Sequence, residues 1–271
     1  MTKKQQKAME DIPHIQEDKK KPTLKRVDVN STDSDKRGLA GVLEVFLRKY
    51  KGVSFILAAV PAAIAYFLSF SIAFTPGMYM VVKVFNYTSD LSLILRVFCT
   101  AMALSLGYLI YGIALILVVP FFNKLMPGKI KPWRGNWFSI ETIPWYYHNA
   151  LVQLVRYTFL DFVTPTPLNV LFYRLMGMKV GKNCVINTSN ISDPCLIELE
   201  DNVTIGGSAT IFGHYAQAGY LVLAKTTIKK GATIGLKASL MGDVIVGEKV
   251  TVKPHAILLP KTRLFKGDPQ P

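Results

Sequence analysis

The chain has 271 residues, half of them hydrophobic, with 32 Lys and Arg against 18 Asp and Glu, for a formal net charge of +14. That length holds one or two domains, and the apolar content argues against a nucleic-acid-binding protein and for a basic surface drawn to anionic lipid headgroups. Cys99, Cys184 and Cys195 form neither a paired metal-ligand spacing nor an even disulfide set, so they read as reduced packing residues.

Residues 1–38 contain KKQQK, DKKKPTLKR and NSTDSDKR with almost no large apolar side chain. So little buried surface cannot offset ordering entropy, and a disordered, membrane-proximal basic tail is expected. No apolar run near Met1 marks a cleavable secretory signal.

A two-helix transmembrane hairpin is predicted over 39–123. Its first span, about 53–75, carries no charge and at 1.5 Å per residue crosses roughly 30 Å of hydrocarbon. Pro61 inside it frees a backbone carbonyl, a defect tolerated in membranes when a neighbour compensates. The second span, about 97–122, is also uncharged. Thirteen Lys and Arg precede the first span, Lys83 alone lies in the connector before Arg96, and Lys124, Lys129, Lys131 and Arg134 follow the second. The positive-inside rule therefore places both termini in the cytoplasm of an inner- or plasma-membrane protein. A buried helix pair is the plainer alternative, disfavoured by the length of the uncharged runs.

Residues 124–178 hold every Trp of the chain together with Tyr146, Tyr147, Tyr157 and Phe159, side chains suited to the headgroup layer. An interfacial helix is predicted from Pro144 to about Phe162, with Arg156 on an otherwise apolar surface. TPTP at 164–167 ends it, and a second short helix, Leu168 to Met176, stops at Gly177.

From 179 to 263 the sequence falls into sixes, most clearly from Val222 onward: VLAKTT, IKKGAT, IGLKAS, LMGDVI, VGEKVT, VKPHAI, LLPKTR. Each block opens on an aliphatic residue, and small or β-branched residues fill the fifth column. Neither a helix of 3.6 residues per turn nor an alternating strand keeps a register of six, so a mainly β solenoid of short parallel strands is expected. Upstream the blocks are less regular. Thirteen residues separate Ile186 from Leu199, a one-residue insertion, and eleven separate Ile211 from Val222. Residues 264–271 form a tail.

Chemistry is expected where the repeat is interrupted. The second break, FGHYAQAGYL, carries His214 between Gly213 and Gly219. An imidazole can take a proton from a hydroxyl or amine near neutral pH, as attack on a thioester requires; the plainer reading is a loop-capping histidine. His255, fourth in VKPHAI, is expected to face solvent, and His148 and His14 show no evident partner. Because a triangular coil returns after about eighteen residues, Asp193, Glu198 and Asp201 are the candidates to orient His214. Asp193, in the irregular SDP turn, is preferred, with an Asx turn before Pro194 as the alternative. Lys237, Lys253, Lys261 and Arg263 are candidates to meet donor phosphates, each equally readable as a solvated charge. With only His214 and His255 in the repeats, no metal site is expected.

VGKNCV, IGGSAT, IGLKAS and VGEKVT resemble the hexapeptide-repeat acyltransferases over roughly Val180 to Arg263. The resemblance implies a left-handed parallel β-helix, the opposite hand to the general rule for parallel crossovers. A closer likeness spans about Pro144 to Pro260, in the order WYYHNALVQLVRY, TPLNVLFYRLMGMKVG, DPCLIELED, GH and IGLKASLMGDVIVG. It is to the membrane-anchored C-terminal modules of ε-poly-lysine synthetase-like peptide synthetases, without an adenylation motif or a carrier-protein serine motif. The family's catalytic His maps onto His214 through the GH after IGGSATIF. Several relatives carry an acidic residue soon after that His, whereas HYAQAG has none, which leaves the orienting partner open. The resemblance implies transfer of an acyl group, acetyl foremost, from an acyl-CoA or carrier-protein thioester to a hydroxyl or amine, with no tightly bound cofactor and with a homotrimeric assembly. Amide formation from aminoacyl thioesters and a non-catalytic trimeric membrane scaffold are the alternatives. The expected partners are membrane lipid and the thioester donor, not nucleic acid.

Overall fold

Apolar runs in the first half of the chain become helices and the sixes become strand coils in a computed structural model that describes residue 28 and residues 30–269, the Ala58 side chain excepted. Most of the expected 1–38 tail, with His14, lies outside the described residues. Within its remainder Ser34 donates to Glu44 at 2.7 Å and Lys36 pairs with Glu141 at 2.5 Å. Helix α1, Gly38–Lys49, follows; it is separate from the hairpin.

The two long helices are α2, Lys51–Tyr87, and α3, Leu93–Leu125, of 37 and 33 residues. Both exceed the expected spans, because α2 continues through Pro61 and Pro76 until the stop signals Thr88, Ser89 and Asp90. They are long and apolar enough to cross a membrane, by length and composition. Large apolar side chains such as Phe67 (71% exposed) and Ile94 (81%) stand outward on them, a surface that water does not favour. Where the helices cross, a Cβ on Gly77 would stand 2.8 Å from the Gly107 carbonyl oxygen, so the backbones touch directly.

Helix α4, Thr142–Val155, runs into a π-helical turn, Arg156–Leu160, and α5, Pro167–Leu175, starts with Pro at its first position after Thr166, whose side chain accepts from the Leu168 amide. Of the aromatics expected in the headgroup layer, Tyr146 and Tyr157 stand outward, whereas Trp145, Tyr147 and Phe159 turn inward. Trp145 and Tyr147 are buried, because their polar edges find internal partners: Trp145 donates to Asp193 and Tyr147 to the Phe122 carbonyl. Arg156 likewise reaches Asn190 of the first coil, and Asn169 of α5 donates to the Ile186 carbonyl at 2.7 Å. One apolar core runs without a break from Ala62 of α2 through Leu151 of α4 to Leu264 of the last coil. The linker is thus enclosed between the long helices and the coils.

The coils form three parallel sheets, one per side. In the regular part each residue faces the one eighteen positions on: Ile228 and Val246, Ile234 and Val252, Leu240 and Leu258. The block openers Ile228, Ile234, Leu240, Val246, Val252 and Leu258 are fully buried, as are Ala232, Ala238 and Val244 of the fifth column. At about 1.5–3 kcal/mol per buried aliphatic side chain, this inner column drives the stacking. The fourth position is the corner: Gly231, Lys237, Asp243, Lys249, His255 and Lys261 all have φ between 54° and 69°. His255 is therefore a corner residue.

Val222 is not a coil opener. It lies in a β-hairpin, His214–Gln217 with Tyr220–Leu223, opposite Tyr215. Antiparallel pairing overrides the six-residue match, and coil strands resume at Thr226–Ile228. The linker strand Trp133–Gly135 adds to the hairpin's open edge, with Arg134 opposite Val222.

Candidate active site

Three segments distant in sequence build the site: the SDP turn of the first coil, the root of the hairpin, and helix α4. Asp193 has a left-handed backbone (φ 57°) and leads into the 3₁₀ turn Pro194–Leu196, which aims its side chain inward. Its carboxylate is wholly buried. Oδ1 accepts from Trp145 Nε1 and Asn149 Nδ2, both at 2.6 Å; Oδ2 accepts from the Gly213 amide at 3.1 Å and lies 2.5 Å from His214 Nδ1. A buried carboxylate requires such a complete set of donors. Burial pushes Asp193 up, but the His214 hydrogen bond and charge, then Asn149, outweigh it and hold Asp193 below its ordinary value.

The ionised carboxylate fixes the imidazole. Its nearest nitrogen is Nδ1, which must then carry the proton, and the lone pair is left on Nε2. The ring meets Trp145 and Phe212 edge-on, at centroid distances of 5.2 and 5.3 Å, and the side chain keeps 24% exposure. Gly213 allows the close approach: a Cβ there would stand 2.7 Å from Leu196 Cβ and 2.9 Å from Asp193 Cβ. Such a group can remove a proton from a nucleophile that reaches Nε2.

The other candidates divide. Glu198 pairs with Lys179 and Asp201 accepts from the Lys182 amide, so neither orients His214. The Gly242 amide donates to the His214 carbonyl, and its neighbour Asp243 binds Arg263 at 2.5 Å and accepts at its carbonyl from the Lys261 amide. Lys261 and Arg263 thus share His214's prism edge, with the Arg263 guanidinium already engaged. Lys237 and Lys253 sit on another edge with His255, whose amide donates to the Leu236 carbonyl. His148 does have a partner: Nδ1 lies 2.9 Å from Asn123 Oδ1. Burial lowers it to about 4 despite the charge of Asp193, so it is neutral. Cys195, pushed up to about 12 by burial and then by Asp193, is a thiol and no nucleophile. Among the described residues no cluster of three His, Cys, Asp or Glu side chains is arranged to hold a metal ion.

Nothing in the sequence alone marks Trp145 and Asn149 as partners of Asp193. They lie four apart on one face of a predicted helix, a signal that marks a shared polar face without naming what it meets.

No family model matches the chain. Among curated proteins it is similar to Delta-poly-L-ornithine synthetase of Acinetobacter baumannii (strain AB307-0294), 21% identical over 171 residues that make up 61% of this chain. The matched part spans only 12% of that protein's length. Among solved structures it is similar to serine acetyltransferase from Brucella abortus strain S19, 14% identical over 69% of this chain and 64% of that one, with a TM-score of 0.31. It is also similar to the Neisseria gonorrhoeae serine acetyltransferase, 13% identical over 71% and 77% of the two chains, with a TM-score of 0.29.

Proposed function

We propose that the chain is a membrane-anchored acyltransferase of the hexapeptide-repeat type, in which His214, positioned by Asp193, is the general base. The observation that carries this reading is the buried Asp193 carboxylate, held by four donors and turned onto Nδ1 of a half-open histidine where the coil is interrupted. The acceptor's hydroxyl or amine gives its proton to Nε2 as its oxygen or nitrogen bonds to the thioester carbonyl carbon. The C–S bond then breaks, and the leaving thiolate takes the proton from the imidazolium, whose charge Asp193 has stabilised. Coil backbone amides steady the oxyanion, and Lys261 meets the donor's phosphates on the same edge, where Arg263 is held by Asp243.

The exposed apolar flanks of α2 and α3 support a bilayer location, and the basic N-terminal segment supports a cytoplasmic site with both termini on that side. The left-handed sense of the coils and a homotrimeric assembly belong to this reading through the family resemblance. The curated relative favours an amine among the acceptors: poly-ornithine is joined by amide bonds, and the same base serves an amine nucleophile.

The test uses purified protein in nanodiscs, offered labelled acetyl-CoA or an aminoacyl carrier-protein thioester with a panel of alcohols and amines, the products being read by mass spectrometry. His214→Ala is expected to lower transfer by about 10²–10⁴-fold. Wild-type transfer by that variant removes the base assignment.

A further inference from the structure

A cavity of about 350 Å³ lies between α2 and the linker, walled by Phe55, Ala59, Ala63 and Tyr66 on one side and by Trp137, Thr142 and Tyr146 on the other. Its hydroxyl groups are few and most are engaged, that of Tyr66 on the Ala150 carbonyl among them. Ser54 donates to the Leu47 carbonyl at 2.5 Å, and Thr142 to the Ser139 carbonyl at 2.6 Å. The cavity therefore offers an occupant carbon and little else.

It is open on the flank that faces lipid, where Phe55 is 69% exposed and Ala63 also stands outward. From Ser54 to Tyr66 the wall extends about 18 Å along α2. A helix of a second copy, about 10 Å across, is too wide for this volume. An alkyl chain is not.

The cavity also adjoins the site. Thr142, Tyr146 and Ala150 face it from α4, while Trp145 and Asn149, about a quarter turn around the same helix, face Asp193. Trp137 and Tyr146 line the cavity and pack against Trp145 at centroid distances of 6.1 and 4.7 Å; the other side of that contact is His214, at 5.2 Å. One aromatic layer separates the hydrocarbon space from the imidazole.

We infer that the acyl acceptor is an amphiphile from the bilayer, its alkyl chain lodged in this cavity and its head, bearing the reacting hydroxyl or amine, reaching around α4 to His214. The inference rests on the transferase reading above. The acyl chain of the donor fits less well, because its carbonyl carbon is joined directly to the chain, whereas the quarter turn of α4 leaves room for a polar head between tail and reacting atom. An amphiphile also enters from the lipid side, where the cavity opens.

Wild-type protein, Ala63→Trp, Ala59→Phe and His214→Ala, all full length, are placed in nanodiscs containing a phosphatidylethanolamine with a diazirine in its acyl chain, irradiated, and mapped by mass spectrometry. Melting temperatures check that the variants fold. Residues 137–150 are expected to label equally in wild type and His214→Ala, and at least about tenfold less in the two filled variants. In parallel, wild type is expected to acetylate dodecylamine with a KM at least about tenfold below that for butylamine, a preference that the filled variants lose. Equal labelling of folded filled variants and wild type, or labelling spread evenly along the outer faces of α2 and α3, overturns the tail site. If transfer to short acceptors persists in that case, the transferase reading stands. Cavity labelling with no transfer to any amphiphile overturns the acceptor assignment and leaves a bound lipid.

Discussion

Replacing Asp193 by Asn keeps the size and shape of the side chain but allows it to accept on one side only. The carboxylate now accepts twice at each oxygen, from Trp145 and Asn149 at Oδ1 and from Gly213 and His214 at Oδ2. If the amide oxygen stays toward Trp145 and Asn149, its NH₂ meets the Gly213 N–H, which is left without an acceptor in a buried site. His214 must then move its proton to Nε2 in order to accept at Nδ1, and the lone pair proposed as the base is gone. If the amide turns the other way, two donors of α4 are orphaned instead. Each charge-assisted bond lost is worth about 1.5–3 kcal/mol, and an orphaned buried donor costs about 1–3 kcal/mol. Asp193→Asn is therefore expected to lose several kcal/mol of stability, on the order of 2–5, and to lower transfer by about 10²–10⁴-fold. Pulse proteolysis in nanodiscs reads the first, CoA thiol release the second, and ¹⁵N chemical shifts of labelled histidine report the tautomer of His214. An Asn variant with near wild-type turnover and His214 still protonated at Nδ1 would refute the orientation mechanism, whatever its stability.

Trp145→Phe retains the ring packed on His214 but removes one of the four donors to the buried Asp193 carboxylate, at a cost of about 1.5–3 kcal/mol in stability; an unchanged unfolding midpoint would contradict this. Stability should also depend on pH. His148 titrates near 4 when folded and near 6.5 when unfolded, so below about pH 6.5 the unfolded chain binds a proton that the folded one refuses. About 3 kcal/mol should be lost as pH falls through that window, with a further loss at lower pH as Asp193 protonates, its folded pKa lying below its ordinary value. Melting temperatures from pH 7 to pH 4 measure the first part, and a flat profile opposes it. Gly77→Val should force α2 and α3 apart at their crossing and lower stability by about 1–3 kcal/mol, read by thermal unfolding in detergent; an unchanged midpoint would show that the crossing can relax.

The coils were legible because a six-residue register is a local property: the openers and the fifth column must fill a narrow prism, and that requirement is written in every block from Ile228 to Leu258. At VLAKTT the register misleads: Val222 satisfies the pattern by composition yet pairs antiparallel in the hairpin, since periodicity does not distinguish one short apolar run from another. The long helices were visible from their missing charges, while their ends were not, because apolar content fixes a hydrocarbon length and the helix stops lie elsewhere.

The sequence by itself determined the parallel coils, the two apolar helices, the interruption that carries His214 and the short set of acids from which Asp193 was preferred. Only the tertiary structure decided that α4 crosses to the first coil and supplies Trp145 and Asn149 to that carboxylate, and that the linker strand seals the hairpin. The physical reason is the difference in reach. Repeats and apolar runs follow from neighbours in the chain, but a buried charge has to collect its donors from whatever the fold brings near it, and these lie 44 and 48 residues away on another element.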